Sequence, residues 1–592
     1  MFLLYVTVVI VFGAKWGVTS FIGFASTVPV QLTTYSIWPL YDTAAWLFRF
    51  YWISVACLLV ALLQKDAYPS QSLLITQFRQ WKDPAAKRWK VALCLLACLS
   101  FSMTLGLYQV QQYALAKYRG PSQRRLDTML SATLSKDRLH ICHYDLQLDY
   151  RPDRQNLGVQ GKITLENPDA PMHIAYLQLP TAMTLQHVEL RGAGSYRLAT
   201  VGSYLQVNWA TPLPADSRVQ LLYAGTIHPA GPFDLPLQAK LLNEAFFLTD
   251  ADLLLEPRRL ACILSSPSLV TKTGDSCQTE NYTMSDLATG AVRVLAPQGY
   301  IALAPGDRLP GPDAPLTFRL QSPQPDSFMI ACARFVVSDA RAANALPAVR
   351  VYRAALDGAS QARAAQSMID FYQSSWPTYS LPELRIVETP GPIAEAVAYD
   401  GLISMSDRIV RSRDPKSAEA SNLLQLVLAH EIAHQWWGYQ VVPARSPGQL
   451  FVLESFAQFS AYKYLQSRGI ISEDAAIQSE KKHYEDERLR SVKNETSLAL
   501  LDKDLTLAYH KGPFVLLSID KMLDHSMMGR FGDLIRGFSR NAPAQPQQIV
   551  ESLIEQIPLS SRERARSLLC SPSAQEEQVQ AASAKPITPH NP

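Results

Sequence analysis

From Val91 to Tyr113 the chain reads VALCLLACLSFSMTLGLYQVQQY, without one charged residue. That run leaves few folds open, because about 20 consecutive apolar residues suffice for a helix to cross the hydrocarbon core of a bilayer. Two more segments read alike. Asp42 to Leu63 contains Arg49, which lies near one end and can extend its guanidinium to the headgroups. Phe2 to Phe24 is a weaker span, interrupted by Lys15. No basic stretch precedes it and further spans follow, so a cleaved leader fits poorly. The connection Lys65–Lys90 carries six Lys or Arg, and Ala25–Tyr41 carries none. That asymmetry puts Lys65–Lys90 in the cytoplasm, so the last helix runs outward and everything after about Lys117 lies outside. Lys117, Arg119, Arg124 and Arg125 follow that helix and weaken the asymmetry.

The whole chain has 592 residues, too many for one ordinary core. Its 48% hydrophobic and 18% charged residues are those of a globular protein. A net charge of +3 with no basic stripe argues against a nucleic-acid partner. No G-x-x-x-x-G-K-[ST] occurs, so nothing points to ATP hydrolysis by this chain. Cys262 and Cys277 flank a Ser/Thr/Gly-rich stretch, and either a disulfide or two unpaired thiols is compatible with that spacing.

After the apolar segments the texture changes twice. From His140 to about Val337 it alternates with period two, as in HYDLQLDY, GKITLEN, YLQVNW and RVQLLYAGTI, with Pro/Gly/Asp-rich turns between. This predicts a β-rich domain of antiparallel sheets. After Val351 helical segments dominate: ARAAQSMIDFYQSSW, ASNLLQLVLAHEIAHQWWG and ESFAQFSAYKYLQSRG, with a strand-like ELRIVE after the first. The organisation expected is a transmembrane segment of about three helices over residues 1–116 and a linker over 117–137. A β-rich domain follows over 138–338, a mainly α domain over 339–570, and a disordered Pro/Ser/Ala/Gln-rich tail over 571–592.

The chemistry concentrates in AHEIAHQWWG. His430 and His434 are i and i+4, so on a helix both imidazoles reach one ion. Glu431 lies on nearly the same side. In H-E-x-x-H the histidines hold Zn²⁺ with positions left open, and the glutamate serves as base toward water. The bland alternative is a helix with two buried histidines; a position mid-helix after an apolar run disfavours it. A third ligand is needed, and Glu454 opens the next strong helix beyond a Pro/Gly loop. A glutamate there is also simply favourable to the helix dipole.

HEIAHQWWG, then ESFAQFSAY, then AYHKG together resemble the zinc aminopeptidase N family of gluzincin metallopeptidases. The resemblance runs from about His140 to about Arg540, matched in the β part by texture only. It implies a thermolysin-like catalytic domain, Zn²⁺ held by His430, His434 and Glu454, Glu431 as general base, and Tyr509 as the phenol supporting the oxyanion. Lys511 reads as a solvated surface lysine. The interval between His434 and Glu454 is nineteen residues where the family usually has eighteen, and Leu453 stands for the usual asparagine. Nineteen resembles the subfamily in which permease helices of an ABC-type exporter precede the peptidase. The family's G-x-M-E-N, whose glutamate holds the substrate α-amine, corresponds here to GPIAEAVAYDGLISMSD. Aligning Gly401 puts Ala398 at that glutamate; Glu395 is near and reads either as its substitute or as a surface carboxylate. Only about eighty residues follow Gly512, which implies an open cleft.

The expectation is therefore a membrane-anchored zinc metallopeptidase in a bacterial inner membrane, its peptidase domain periplasmic. Its partners would be peptide substrate, membrane lipid and an ABC-type ATPase subunit. The competing reading is a permease component whose outer domain binds or gates peptides with little hydrolysis.

Overall fold

The period-two alternation of HYDLQLDY makes a strand that buries one face. In the computed structural model Tyr144, Leu146, Leu148 and Tyr150 are all buried on strand β1, His140–Arg151. The structure describes residues 139–571 except 168–170, 181–182, 193, 202–203, 229–240, 243, 258–286, 310–315, 326–327, 341–346, 356, 391–395, 412–417, 445, 489–494 and 502–503. The three expected membrane spans, the Cys262–Cys277 pair, Glu395 and the expected tail beyond residue 571 lie outside the described residues. Among the described residues no helix is long and apolar enough to cross a membrane. The architecture below belongs to one compact unit, residues 130–228 with 244–592.

The first half is a β domain. Strands β1, β2 (Asn156–Asn167), β3 (Met183–Arg191), β4 (Ser217–Ile227), β5 (Leu287–Leu295), β6 (Asp307–Leu309) and β7 (Leu316–Pro325) form a seven-stranded sheet ordered β6-β7-β5-β1-β2-β4-β3. A smaller sheet includes Met172–Gln178, Tyr204–Leu213 and Tyr196–Val201. The expectation of purely antiparallel pairing needs correction at one place: β1 and β5 run parallel. Far more chain than a hairpin turn separates these two strands, and a long return connection permits either direction. Rings seal the inner face, with Tyr144 stacked on Phe328 at 5.1 Å and Tyr150 edge-on to Phe246 at 5.1 Å.

The second half opens with a five-stranded mixed sheet. Its strands are β8 (Val336–Asp339), β9 (Ala348–Arg353), β10 (Glu383–Thr389), β11 (Ala396–Tyr399) and β12 (Leu402–Ser406), ordered β8-β9-β10-β12-β11. This sheet begins at Val336, a little before the boundary expected at residue 338. Helices then follow: α1 (Ala359–Gln373), α2 (Ala418–Ala433), α3 (Phe456–Ser467), α4 (Glu473–Arg488), α5 (Gly512–Met522), α6 (Met527–Gly537), α7 (Pro546–Glu555) and α8 (Leu559–Cys570). α1 buries Ala362, Ala365, Met368, Ile369 and Tyr372, a stripe at helical spacing. The Tyr372 hydroxyl donates to the Ala429 carbonyl of α2 at 2.9 Å, so α1 fixes the helix that carries the histidines.

The two halves meet at one buried cation. Arg385 on β10 donates to the carbonyls of Ala304 (2.8 Å), Gly306 (2.5 Å) and Gly401 (3.1 Å). Three carbonyl acceptors make a buried guanidinium tolerable. They also tie the β-domain loop at Ala304–Gly306 to the turn between β11 and β12, beside the histidine helix. Gly401 occupies that turn at φ +69°, a conformation that favours glycine.

Candidate metal centre

α2 ends at Ala433, so the H-E-x-x-H motif occupies its last turn rather than its middle. The chain turns inward there because Trp436 and Trp437 are both fully buried, and Gly438 at φ +130° completes the reversal. Trp376 stacks on Tyr372 at 4.7 Å and meets Trp436 at 5.4 Å, while Trp437 meets Phe456 and Phe531 at 4.9 Å each. This aromatic cluster backs the motif. Because the helix stops at this point, the Trp437 carbonyl comes within 3.1 Å of His434 Nδ1 and can accept from it. That hydrogen bond leaves Nε2 as the free donor atom of His434.

Glu454 arrives from a single π-helical turn, Phe451–Ser455, at the head of α3. A second π turn, Leu507–Lys511, carries Tyr509 at the head of α5. Such turns insert an extra residue and re-aim side chains, and they concentrate at functional sites. The two turns clasp each other: Ser455 Oγ donates to the Ala508 carbonyl at 2.7 Å. Gly512 makes the approach possible, since a Cβ there would lie 2.0 Å from Ser455 Oγ.

The outcome is a triangle of donors. His430 Nε2 and His434 Nε2 are 3.0 Å apart, and Glu454 Oε2 is 3.2 Å from the first and 3.6 Å from the second. Zinc bonds of about 2.0–2.1 Å in tetrahedral geometry place ligand atoms roughly 3.3 Å apart. The triangle therefore has the size of one face of a zinc tetrahedron. The electrostatics agree. Burial pulls the His434 imidazole down, but the Glu454 carboxylate outweighs it and pushes its pKa up to about 9. Burial raises Glu454, and the two histidines more than offset this, holding it well below the usual carboxylate range. The first shift marks a place where the Glu454 carboxylate favours positive charge, and the second a carboxylate kept ionised beside the histidines. The donor set fits Zn²⁺.

Glu431 is 8% exposed and faces the same space. Burial raises its pKa, against the lowering influence of His430, His434 and a hydrogen bond from the Ala398 amide. The Tyr509 ring lies 5.7 Å from that of His430. Burial first, then Glu454 and Glu431, raises the pKa of its phenol, so Tyr509 is a protonated donor at neutral pH.

The expected substrate residues fare differently. Ala398 lies on edge strand β11, its amide on Glu431 and its carbonyl accepting from the Tyr439 hydroxyl at 3.0 Å. Gly401 donates its amide to Gln435 Oε1 at 3.0 Å, and Gln435 Nε2 donates to the Tyr399 carbonyl at 3.0 Å. Tyr439 and Gln435 thus hold β11 against the motif helix; nothing in their local sequence marks them beyond adjacency to H-E-x-x-H. Lys511 is not a surface lysine. It is 3% exposed and its Nζ lies 2.5 Å from Glu495, because the π turn rotates it inward.

Such a centre, two histidines of one helix turn and a glutamate of the next helix beside a buried carboxylate, is that of a zinc peptidase domain. Residues 361–558 match the family model for the peptidase family M1 domain. "Probable aminopeptidase 1" of Sulfurisphaera tokodaii is 34% identical over 103 residues, covering 17% of this chain and 13% of that protein. Tricorn protease-interacting factor F2 of Thermoplasma acidophilum is 31% identical over 104 residues, 17% and 13% of the two chains. Endoplasmic reticulum aminopeptidase 2 of Bos taurus is 32% identical over 99 residues, 16% and 10% of the two. The aligned part thus spans only about an eighth of the first relative's length. The crystal structure of an M1 zinc metallopeptidase from Deinococcus radiodurans is 19% identical, covers 74% of this chain and 95% of that one, and has a TM-score of 0.49. The M1 match stops well short of residues 1–138 and so says nothing of the apolar segments.

Proposed function

We propose that the chain is a membrane-anchored zinc peptidase that hydrolyses peptide bonds with aminopeptidase-like action on the extracytoplasmic side. The observation that carries this is the position of Glu431. Its buried carboxylate is steadied by the Ala398 amide beside the His430–His434–Glu454 triangle. A purely structural metal site has no use for such a base.

Zinc, when bound, supplies a Lewis acid that polarises the scissile carbonyl and makes water acidic. Glu431 takes the proton of the attacking water on its carboxylate and passes it to the leaving amine. Burial matches it to this exchange by raising its proton affinity. Tyr509 donates its hydroxyl proton in a hydrogen bond to the carbonyl oxygen as charge develops there. In the structure that hydroxyl is hydrogen-bonded to Glu454, and its ring lies 5.7 Å from that of His430, so the donor stands beside the metal ligands. β11 is an edge strand beside the site, and its Ala398 amide, Ala398 carbonyl and Tyr399 carbonyl are held by Glu431, Tyr439 and Gln435.

Glu431→Gln tests the mechanism: zinc content should stay at the wild-type level while hydrolysis of a fluorogenic peptide panel nearly vanishes. Unchanged turnover would remove Glu431 as base. Aminopeptidase-like action requires a carboxylate for the substrate ammonium. Ala398 offers none; Glu395 lies three residues before it, whereas Asp400, two residues after it, is buried and paired with Arg540 at 2.9 Å. Preference for free over N-acetylated peptides, weakened by Glu395→Gln, supports the reading; equal cleavage of both defeats it.

The membrane anchor rests on Val91–Tyr113 and its companions, and the outward orientation on the six Lys/Arg of Lys65–Lys90. Topology reporters fused after Lys117 should report the periplasmic side. The permease reading with an ABC-type ATPase partner draws no support from the relatives, which are named as aminopeptidases and a protease-interacting factor.

A further inference from the structure

A second group of metal-type donors stands away from this centre. Glu480, His483 and His510 each bring one donor atom to within 4.8 Å of the others. Glu480 and His483 are i and i+3 on α4, so both leave one face of the helix. His510 comes from the π turn that also carries Tyr509. Its Nδ1 lies 2.6 Å from Glu480 Oε2, and its ring centroid is 5.3 Å from that of His483. Glu480 is 4% exposed, and its other oxygen accepts from the Tyr462 hydroxyl. Glu487, at i+7 on the same face, acts electrostatically on His510 and accepts from Thr506 Oγ1 at 2.5 Å.

Among the described residues no lysine or arginine pairs with Glu480. The contrast with Glu473, Asp520 and His525, another cluster of donor atoms, is informative. There Lys463 Nζ lies 2.6 Å from Asp520 and 3.9 Å from Glu473, so a fixed cation already stands between the two acids. Asp520 also accepts from the Met527 amide at 2.8 Å. At Glu480 the counter-charge must come from a proton or a bound cation.

We propose that Glu480, His483 and His510 form a second binding site for a first-row divalent ion of the zinc type, separate from the His430–His434–Glu454 centre. Two imidazoles and a carboxylate select such ions over Ca²⁺ and Mg²⁺, which take oxygen donors. Occupancy ties α4 to the π turn of Tyr509 and stiffens one wall of the active site. Only that consequence rests on the role given to Tyr509; the binding itself does not.

The test is metal content. The full-length protein, stripped with chelator and dialysed against saturating zinc, should hold two Zn²⁺ per chain by elemental analysis. His483 is exposed, so His483→Ala should leave the fold intact and weaken the second equivalent at least about tenfold. A His434→Ala/Glu454→Ala variant should keep one equivalent, lost when His483→Ala is added. A wild-type chain that binds one equivalent, or a second equivalent indifferent to His483→Ala, would overturn the site. Failure of peptide hydrolysis with two equivalents retained would instead strike the proposed activity and leave this site standing.

Discussion

The two histidine–carboxylate clusters use the same donor types and differ in what stands behind them. His430 and His434 close a helix backed by Trp436, Trp437 and Phe456, all fully buried, and their Nε2 atoms converge to 3.0 Å. His483 lies exposed on α4 and His510 half-buried on the π turn, and among the described residues no such aromatic backing stands behind them beyond their own ring contact at 5.3 Å. Donor identity says which ions a cluster accepts. The packing behind it decides how closely the empty geometry matches the bound one, and so how much ordering remains to be done on binding. The inner cluster should therefore hold zinc through dialysis and the outer one should exchange it freely.

The largest effects should separate metal from chemistry at the inner cluster. Glu454→Ala should lose both zinc and hydrolysis, because one of three ligands is gone. Glu431→Gln should keep zinc and lose about 10²–10⁴-fold in kcat. If Glu454→Ala retains full zinc, the inner triangle is not the metal site. Next comes Tyr509→Phe, expected to lower kcat about 10²–10³-fold with KM little changed. A rise in KM alone would make Tyr509 a binding residue.

A smaller effect probes the clasp between the two π turns. Gly512→Ala forces a methyl group against Ser455 Oγ, at a separation of 2.0 Å before relaxation. The expected loss is about 1–3 kcal/mol in urea unfolding, as for an overpacked core. Ser455→Ala instead leaves the Ala508 carbonyl without its hydroxyl donor, at a cost of about 1–3 kcal/mol. Because the turns carry Glu454 and Tyr509, both variants should also lower kcat. Unaltered kcat with the same stability loss would mean that the clasp supports the fold alone.

These residues also mark what could be read beforehand. His430, Glu431 and His434 were legible because helical spacing and ligand chemistry are written locally, whereas Glu454, beyond a nineteen-residue interval, was assigned as a ligand through the resemblance. The strands of β1, β2 and β4 were legible because alternation is local too. Tyr509 was reachable only by resemblance, since a lone tyrosine carries no sign of its neighbours. The parallel pairing of β1 with β5 and the grip of Arg385 on the carbonyls of Ala304 and Gly306 depend on partners far along the chain. No window of sequence contains both members of those pairs. The π turns were invisible for another reason: one inserted residue in a helix leaves the apolar pattern almost unchanged.

The least effect belongs to protons at the outer cluster when no metal is present. Burial lowers the proton affinity of His510, but the hydrogen bond and charge of Glu480, with Glu487 behind, more than offset it, so its pKa is raised. A raised folded-state value means that protonation favours the fold. The contribution is complete below the unfolded value, about pH 6.5, and disappears as pH rises through the folded value. His510→Gln keeps an N–H donor for Glu480 but cannot titrate. With chelator present, the stability advantage of wild type over this variant should be greatest near about pH 6 and shrink steadily toward alkaline pH. Urea midpoints across that range would measure it. A pH-independent difference would show that Glu480 holds His510 as a neutral hydrogen-bond partner, and the outer cluster would then lack the demand for positive charge that the inner one displays.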